Sequence, residues 1–197
     1  MYMKIVDAEF LKSISINDTK IFMETRNEVV FVGRSNVWKS SLMNVLMKKK
    51  DLVKTSSKPG KTRTANLFLV NGKYHFTDLP GYGFAKLGQE FREDLDSLIS
   101  WYLEEKQNTI KQVILICDAK IGPQQSDIDM YNYITNDLKM PITVALSKID
   151  RLSKNDINKS KFHTEKTFFG SRVVPISSSK LDGIDDMRKI IHEELQK

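Results

Sequence analysis

Apolar and polar positions along the chain follow two periods, and the switches between them mark out the elements. Glu28-Val29-Val30-Phe31-Val32 is a short apolar run of strand type; over 39–47, Leu42, Val45 and Leu46 follow helical spacing. Residues 65–70 and 74–77 read as two strands joined by Asn71-Gly72, a two-residue turn signal for a tight hairpin. Leu95, Leu98, Ile99 and Tyr102 share one side of a helix over 91–106. The pattern then predicts a strand at 112–117, a helix at 126–138 and a strand at 142–146. A polar helix within 155–168, a strand at 172–176 and a last helix over 184–196 complete it. Residues 3–16 offer a further N-terminal strand.

Strands separated by helices of this length imply right-handed crossovers. The fold class expected is therefore α/β, three layers, with helices on both faces of a mainly parallel sheet and the hairpin as an antiparallel edge. The loops at 52–62 and 80–88 are long, and such loops in a compact α/β domain are usually functional.

Composition narrows the class. A chain of 197 residues is expected to form one domain, with 1–24 as an N-terminal strand extension on a core of 25–197. A single cysteine, Cys117, cannot form an internal disulfide and fits a reducing cytosol, so a cytoplasmic location is expected. No apolar run approaches the roughly 20 residues of a membrane span, and the first residues lack a signal-peptide layout. The net charge of +6 permits an RNA partner without requiring one. His75, His163 and His192 share no ligand spacing, which argues against a zinc site.

Gly33-Arg34-Ser35-Asn36-Val37-Trp38-Lys39-Ser40 lies between a predicted strand and a predicted helix. There the pattern G-x-x-x-x-G-K-[ST] cradles phosphates with backbone N–H groups, a lysine, a magnesium-binding hydroxyl and a helix dipole. Every part is present except the second glycine, replaced by Trp38. An indole here is expected to point toward residues 60–64 or to fill the phosphate cavity. Asp78-Leu79-Pro80-Gly81 ends a predicted strand, where an acid can hold magnesium through water and a glycine N–H can approach a γ-phosphate. Ser147-Lys148-Ile149-Asp150 ends another, and a carboxylate at Asp150 can accept from both guanine N1–H and N2–H, a pair adenine lacks. Ile176-Ser177-Ser178 follows the last strand and can offer a backbone N–H to guanine O6.

With these words in hand, the chain resembles the translation-factor-related GTPases, and among them the EngB (YihA/YsxC) family of bacterial ribosome-assembly GTPases. The resemblance rests on Gly-Arg-Ser-Asn-Val-x-Lys-Ser at 33–40, Ser-Ser-Lys-Pro-Gly-Lys-Thr-Arg-Thr at 56–64 and Asp-Leu-Pro-Gly-Tyr-Gly-Phe-Ala-Lys at 78–86. It implies a GTP- and GDP-binding G domain in which Gly33 to Ser40 wrap the phosphates and Lys39 neutralises their charge. Ser40 and Thr62 would ligate magnesium directly and Asp78 through water. Gly60, Lys61, Thr62, Arg63 and Thr64 would form one switch, with Lys39 and Thr62 serving catalysis, and Asp78, Leu79, Pro80 and Gly81 would open the other. Lys148 would lie along the base, Asp150 would select guanine, and Ser147, Ile149, Ile176, Ser177 and Ser178 would complete the base pocket. Asn36 matches the loop asparagine that holds potassium in related GTPases, or else serves a turn. Tyr82 follows Gly81 where Ras-type enzymes carry a water-orienting glutamine, so intrinsic hydrolysis is expected to be slow.

The partner implied is the large ribosomal subunit or its rRNA, bound by a monomer, with loss of function appearing as defective division and septation. Lys48-Lys49-Lys50, with Lys54, Lys58, Lys61 and Arg63, is either a helix end favoured by the dipole or an rRNA contact. Two alternatives stand beside the GTPase reading. One is a nucleotide-impaired G domain that scaffolds rRNA or protein because of Trp38; the other is an ATP-using P-loop enzyme, against which Asp150 argues.

Overall fold

A computed structural model describes residues 4–18, 25–54, 64–83 and 88–197. Seven strands form one sheet: β1 (Ala8–Ile14), β2 (Glu28–Gly33), β3 (Ala65–Val70), β4 (Tyr74–Asp78), β5 (Ile110–Asp118), β6 (Ile142–Ser147) and β7 (Arg172–Pro175). Among them lie α1 (Lys39–Leu46), α2 (Gln89–Glu105), α3 (Gln125–Asn132), α4 (Lys154–Thr167) and α5 (Ile184–Leu195). The spatial order is β1-β3-β4-β2-β5-β6-β7. The five strands from β4 to β7 run parallel, and β3 is antiparallel to both neighbours.

β2 is buried along its whole length, as a central parallel strand covered on both faces must be. Its alternate side chains serve two cores. Val29 and Phe31 pack with Leu42, Met43 and Leu46 of α1 and with Met187, Ile190 and Ile191 of α5. Val30 and Val32 face Ile99, Tyr102 and Leu103 of α2 and Ile134 beyond α3. Apolar burial at about 25 cal/mol per Å² on both faces makes this sheet the rigid base for the loops at its edges.

Two differences from the expected pattern have local causes. The hairpin is internal, because β1 pairs with β3 and takes the sheet edge. Asn71 secures that pairing: its side-chain oxygen accepts from the N–H groups of Val6 (2.9 Å) and Asp7 (3.2 Å), and its amide donates to the Lys4 carbonyl (3.0 Å). The helix expected over 126–138 is α3 followed by a wider π turn at Tyr133–Asp137, which carries Ile134 fully into the core. No helix among the described residues is long and apolar enough to cross a membrane.

Candidate functional site at the carboxyl edge of the sheet

All five parallel strands end at the same edge, and the candidate residues sit on the turns that leave them. Asp78 ends β4, Gly33 ends β2, Asp118 ends β5, Ser147 ends β6, and Ile176 follows β7. In open α/β sheets this edge is where ligands bind.

Gly33 is required by close approach. A Cβ there would lie 2.8 Å from the Ile116 carbonyl oxygen and 3.0 Å from Val37 Cγ2. The chain then turns through Arg34, Ser35, Asn36 and Val37 to Trp38, the residue preceding α1. Asn36 (φ 67°) and Trp38 (φ 66°) both occupy the left-handed region. Asparagine tolerates this conformation through its short polar side chain, so the turn role of Asn36 is the one its geometry favours. Trp38 holds a glycine's backbone conformation with a bulky side chain, at a cost of roughly 1–2 kcal/mol.

Of the directions expected of the indole, the first leads to residues 60–63, which lie outside the described residues. Its ring lies 4.5 Å from the Arg151 guanidinium carbon and 5.3 Å from Lys148 Nζ, so it packs toward the turn after β6. Two cations on one ring attract it in that direction through the negative face of its π system.

Lys39, first residue of α1, reaches across to β4. Its ammonium donates to Asp78 Oδ1 and, at 2.6 Å, to the Leu79 carbonyl. Two candidate residues 39 positions apart in sequence are thus brought together, both well buried. Ser40 stands beside Lys39 in the first turn of α1. Ser40 and Asp78 offer only oxygen donors, the chemistry a hard cation such as magnesium selects.

The second strand–loop segment presses on the first. A Cβ at Gly81 would lie 2.9 Å from Ser35 Oγ and 3.1 Å from Ser35 N, so any larger residue would have to push the Ser35 turn aside. Ser35 N donates to the Tyr82 carbonyl at 3.1 Å, and Tyr82 N donates to the Gly33 carbonyl at 3.4 Å. Pro80 is buried between them. Tyr82 itself is buried, and its hydroxyl donates to Asp127 Oδ1 at 2.9 Å. Burial, and then the Asp127 charge, push the phenol well above its ordinary value. Burial likewise raises the Asp127 carboxyl, which also accepts from Gln124 N (3.0 Å) at the start of α3.

Around β6, Ser147 Oγ lies 3.0 Å from the Val37 carbonyl and 2.9 Å from the Cys117 carbonyl, sharing one proton between two acceptors. Lys148 (φ 65°) donates to the Asn36 carbonyl at 2.7 Å and pairs with Asp118 Oδ2 at 2.7 Å. Asp150, in a short 3-10 turn, accepts from Ser177 Oγ at 2.8 Å. That bond, foremost, holds its carboxyl below the ordinary aspartate range. Ser177 is fully buried and also accepts from Lys180 N at 3.0 Å, while Ser178 beside it is half-buried. Ile149 and Ile176 are buried and linked by Ile149 N to the Ile176 carbonyl (3.3 Å), so only their backbones face the edge.

Thr64 stands half-buried just before β3. Gly60, Lys61, Thr62 and Arg63 lie outside the described residues, as do residues 84–86 of the long motif. Sequence reasoning passed over Asp118, Asp127 and Arg151. An acid at the last position of an apolar parallel strand is a signal that could have found Asp118; Asp127 and Arg151 carry none apart from their contacts. Cys117 is fully buried in the core, and burial pushes its thiol well up.

Comparison with known proteins agrees with this arrangement. The family described as "50S ribosome-binding GTPase" matches residues 28–148. A "Probable GTP-binding protein EngB" of Natranaerobius thermophilus is 43% identical over 153 residues, 78% of each chain. Its namesake in Clostridium kluyveri is 37% identical over 192 residues, 96% of each. Among solved structures, one titled as a probable GTP-binding protein engB superposes with TM-score 0.73 at 25% identity, covering 86% of this chain and 98% of that one. Aquifex aeolicus Era bound to GDP and aluminium fluoride gives 0.72 at 25% identity, over 88% of this chain and 58% of that one.

Proposed function

The chain belongs to the EngB family of GTP-binding proteins, and from that premise we propose that it is a magnesium-dependent GTPase of large-subunit ribosome assembly. It would act as a cytoplasmic monomer built on one G domain over 1–197, in a role on which normal division and septation depend. The observation that carries the nucleotide reading is the division of labour along one sheet edge. Lys39 and Asp78 meet at the β2–β4 end, and the Asp150 carboxylate is held ionised by Ser177 at the β6–β7 end.

In this reading Lys39 exchanges its bonds to Asp78 and the Leu79 carbonyl for the β- and γ-phosphate oxygens. Loading therefore separates a buried ion pair and reorganises the start of the second switch, so phosphate occupancy is felt at Gly81 and Tyr82. Magnesium, when bound, supplies positive charge between the phosphates; Ser40 and Thr62 would hold it, with Asp78 behind a water. Asp150 accepts from the two guanine donors while Ser177 fixes its orientation. Lys148, braced by Asp118 and the Asn36 carbonyl, keeps the base-side turn against the phosphate loop. The phenol of Tyr82 is committed to Asp127 and orients no water, which supports slow intrinsic hydrolysis.

The test is calorimetric titration with GDP and ADP. The parent chain should prefer GDP, and Asp150→Asn should weaken GDP by about 1–3 kcal/mol, because one base donor loses its acceptor. Equal GDP affinities would refute the base-pocket assignment. One observation favours the scaffold alternative, namely the indole at a glycine conformation in the phosphate loop; it predicts no measurable binding of either nucleotide.

A further inference from the structure

The helix α4 presents an outer face that the GTPase reading does not use. Its inner side carries Thr164 and leads to Phe168, which is fully buried and packs on Tyr131 with ring centroids 4.6 Å apart. Its outer side carries Lys159, Phe162 and Lys166, three and four residues apart on one stripe, and Phe169 follows just past the helix end. The two rings are the notable part: Phe162 is 60% exposed and Phe169, just past the helix, 90% exposed. Lys166 Nζ stands 4.8 Å from the Phe162 ring centroid. The β5–α3 loop borders the stripe, since a Cβ at Gly122 would lie 3.8 Å from His163, and that loop adds Lys120 and the exposed Ile121.

We propose that this stripe of alternating lysines and exposed phenylalanines is a binding surface for single-stranded RNA. Exposed rings on a water-facing helix are costly unless something covers them, and two chemistries compete to do so. Protein interfaces bury aromatic side chains but are depleted in lysine. Single-stranded nucleic acid uses both together: bases stack on aromatic faces and lysines follow the phosphates. Here the lysines interleave with the rings, which fits the second pattern. α4 carries Lys154, Lys159, Lys161 and Lys166 against Asp156 and Glu165, and Glu165 pairs with Lys161 at 3.6 Å, so Lys159 and Lys166 give the stripe net positive charge. At 1.5 Å rise per residue Phe162 lies about 8 Å along the axis from the helix end at Thr167, with Phe169 just beyond that end. A flexible strand with unstacked bases can bridge that separation, whereas a duplex keeps its base faces hidden.

This proposal builds on the ribosomal reading above, because the large subunit is the source of such RNA, and the two can fail separately. Fluorescence anisotropy of the full chain with GDP present would use a labelled oligouridine and, as comparison, an RNA duplex of equal length. The parent should bind the single strand more tightly than the duplex. Phe162→Ala and Phe169→Ala should each weaken it about 5- to 100-fold. Phe162→Leu, which keeps an apolar side chain but no π face, should behave as the alanine variant does. Lys159→Gln and Lys166→Gln should each reduce the salt slope by about 0.7. Unchanged binding by the phenylalanine variants, or equal affinity for duplex, would overturn the proposal. So would self-association of the parent that the phenylalanine variants abolish, since that would make the stripe a protein face. Co-sedimentation with purified large subunits tests the ribosomal reading itself: oligouridine binding without co-sedimentation sinks that reading and leaves the stripe standing.

Discussion

Replacing Trp38 by glycine isolates the one residue at which the sequence departs from the phosphate-loop pattern. In the free chain the change has two opposing effects on stability. Glycine relieves the left-handed φ of 66°, worth roughly 1–2 kcal/mol. It also removes two cation–π contacts, worth about 0.5–1 kcal/mol each at a partly exposed site, and adds backbone entropy to the unfolded chain. These nearly cancel, so the melting temperature of the nucleotide-free protein should change only slightly. Nucleotide binding has no such compensation. To lay its stem along a base, Lys148 must leave the indole, and the indole must also leave Arg151; breaking both contacts costs about 1–2 kcal/mol. Crowding of a Cβ beside the β-phosphate adds strain of about 1 kcal/mol. The sum, about 2–3 kcal/mol, corresponds to about 30- to 150-fold weaker GDP binding by the parent chain than by Trp38→Gly. Calorimetric titration of both proteins, with thermal melts of both in the free state, measures the two quantities. Equal affinities would refute the reasoning and mean that the indole stays beside Arg151 when nucleotide is bound. Failure of both to bind would move the protein to the scaffold reading.

Thr62→Ala should leave GDP binding nearly intact while abolishing the difference in hydrogen exchange over residues 60–64 between GDP and a GTP analogue; a persistent difference would rule out the magnesium role of Thr62. Tyr82→Phe leaves a buried oxygen of Asp127 without its donor and should lower stability by about 1–3 kcal/mol in denaturant unfolding, with GTP hydrolysis unchanged. A tenfold change in hydrolysis would show that the phenol acts on the reaction.

What the sequence disclosed follows from how each feature is encoded. β2 and β5 were legible because strands buried on both faces must be apolar throughout, and α2 because its buried positions repeat at helical spacing. The strand ends that carry Gly33, Asp78 and Ser147 then followed, since each motif sits where an apolar run stops. The edge position of β1 was not legible in this way: its burial alternates poorly, and its place depends on Asn71 bonds reaching 64 and 65 residues along the chain. The same holds for Tyr82. Its partner Asp127 lies 45 residues away on a different helix, and no local pattern joins them.

Trp38 is the sharpest case, because its residue type predicts its strain but not the partners of its ring. Local sterics define what a Cβ at φ 66° costs, so the strain is readable from the motif alone. Where the ring goes is decided by Lys148 and Arg151, more than a hundred residues later, which offer cationic charge beside it. Those two residues stand beside Asp150, the proposed guanine selector. The tryptophan thus adds ring contacts between the phosphate loop and the base turn, where a glycine would leave the bonds from the Lys148 ammonium to the Asn36 carbonyl and from Ser147 Oγ to the Val37 carbonyl. The fold accommodates this because the sheet beneath is complete without the loop: Val37, Leu42 and Met43 remain buried on either side of the indole. In the free chain the strain is offset by the two cation–π contacts, whereas nucleotide binding has no such offset, which is why binding and melting should separate in the Trp38→Gly protein.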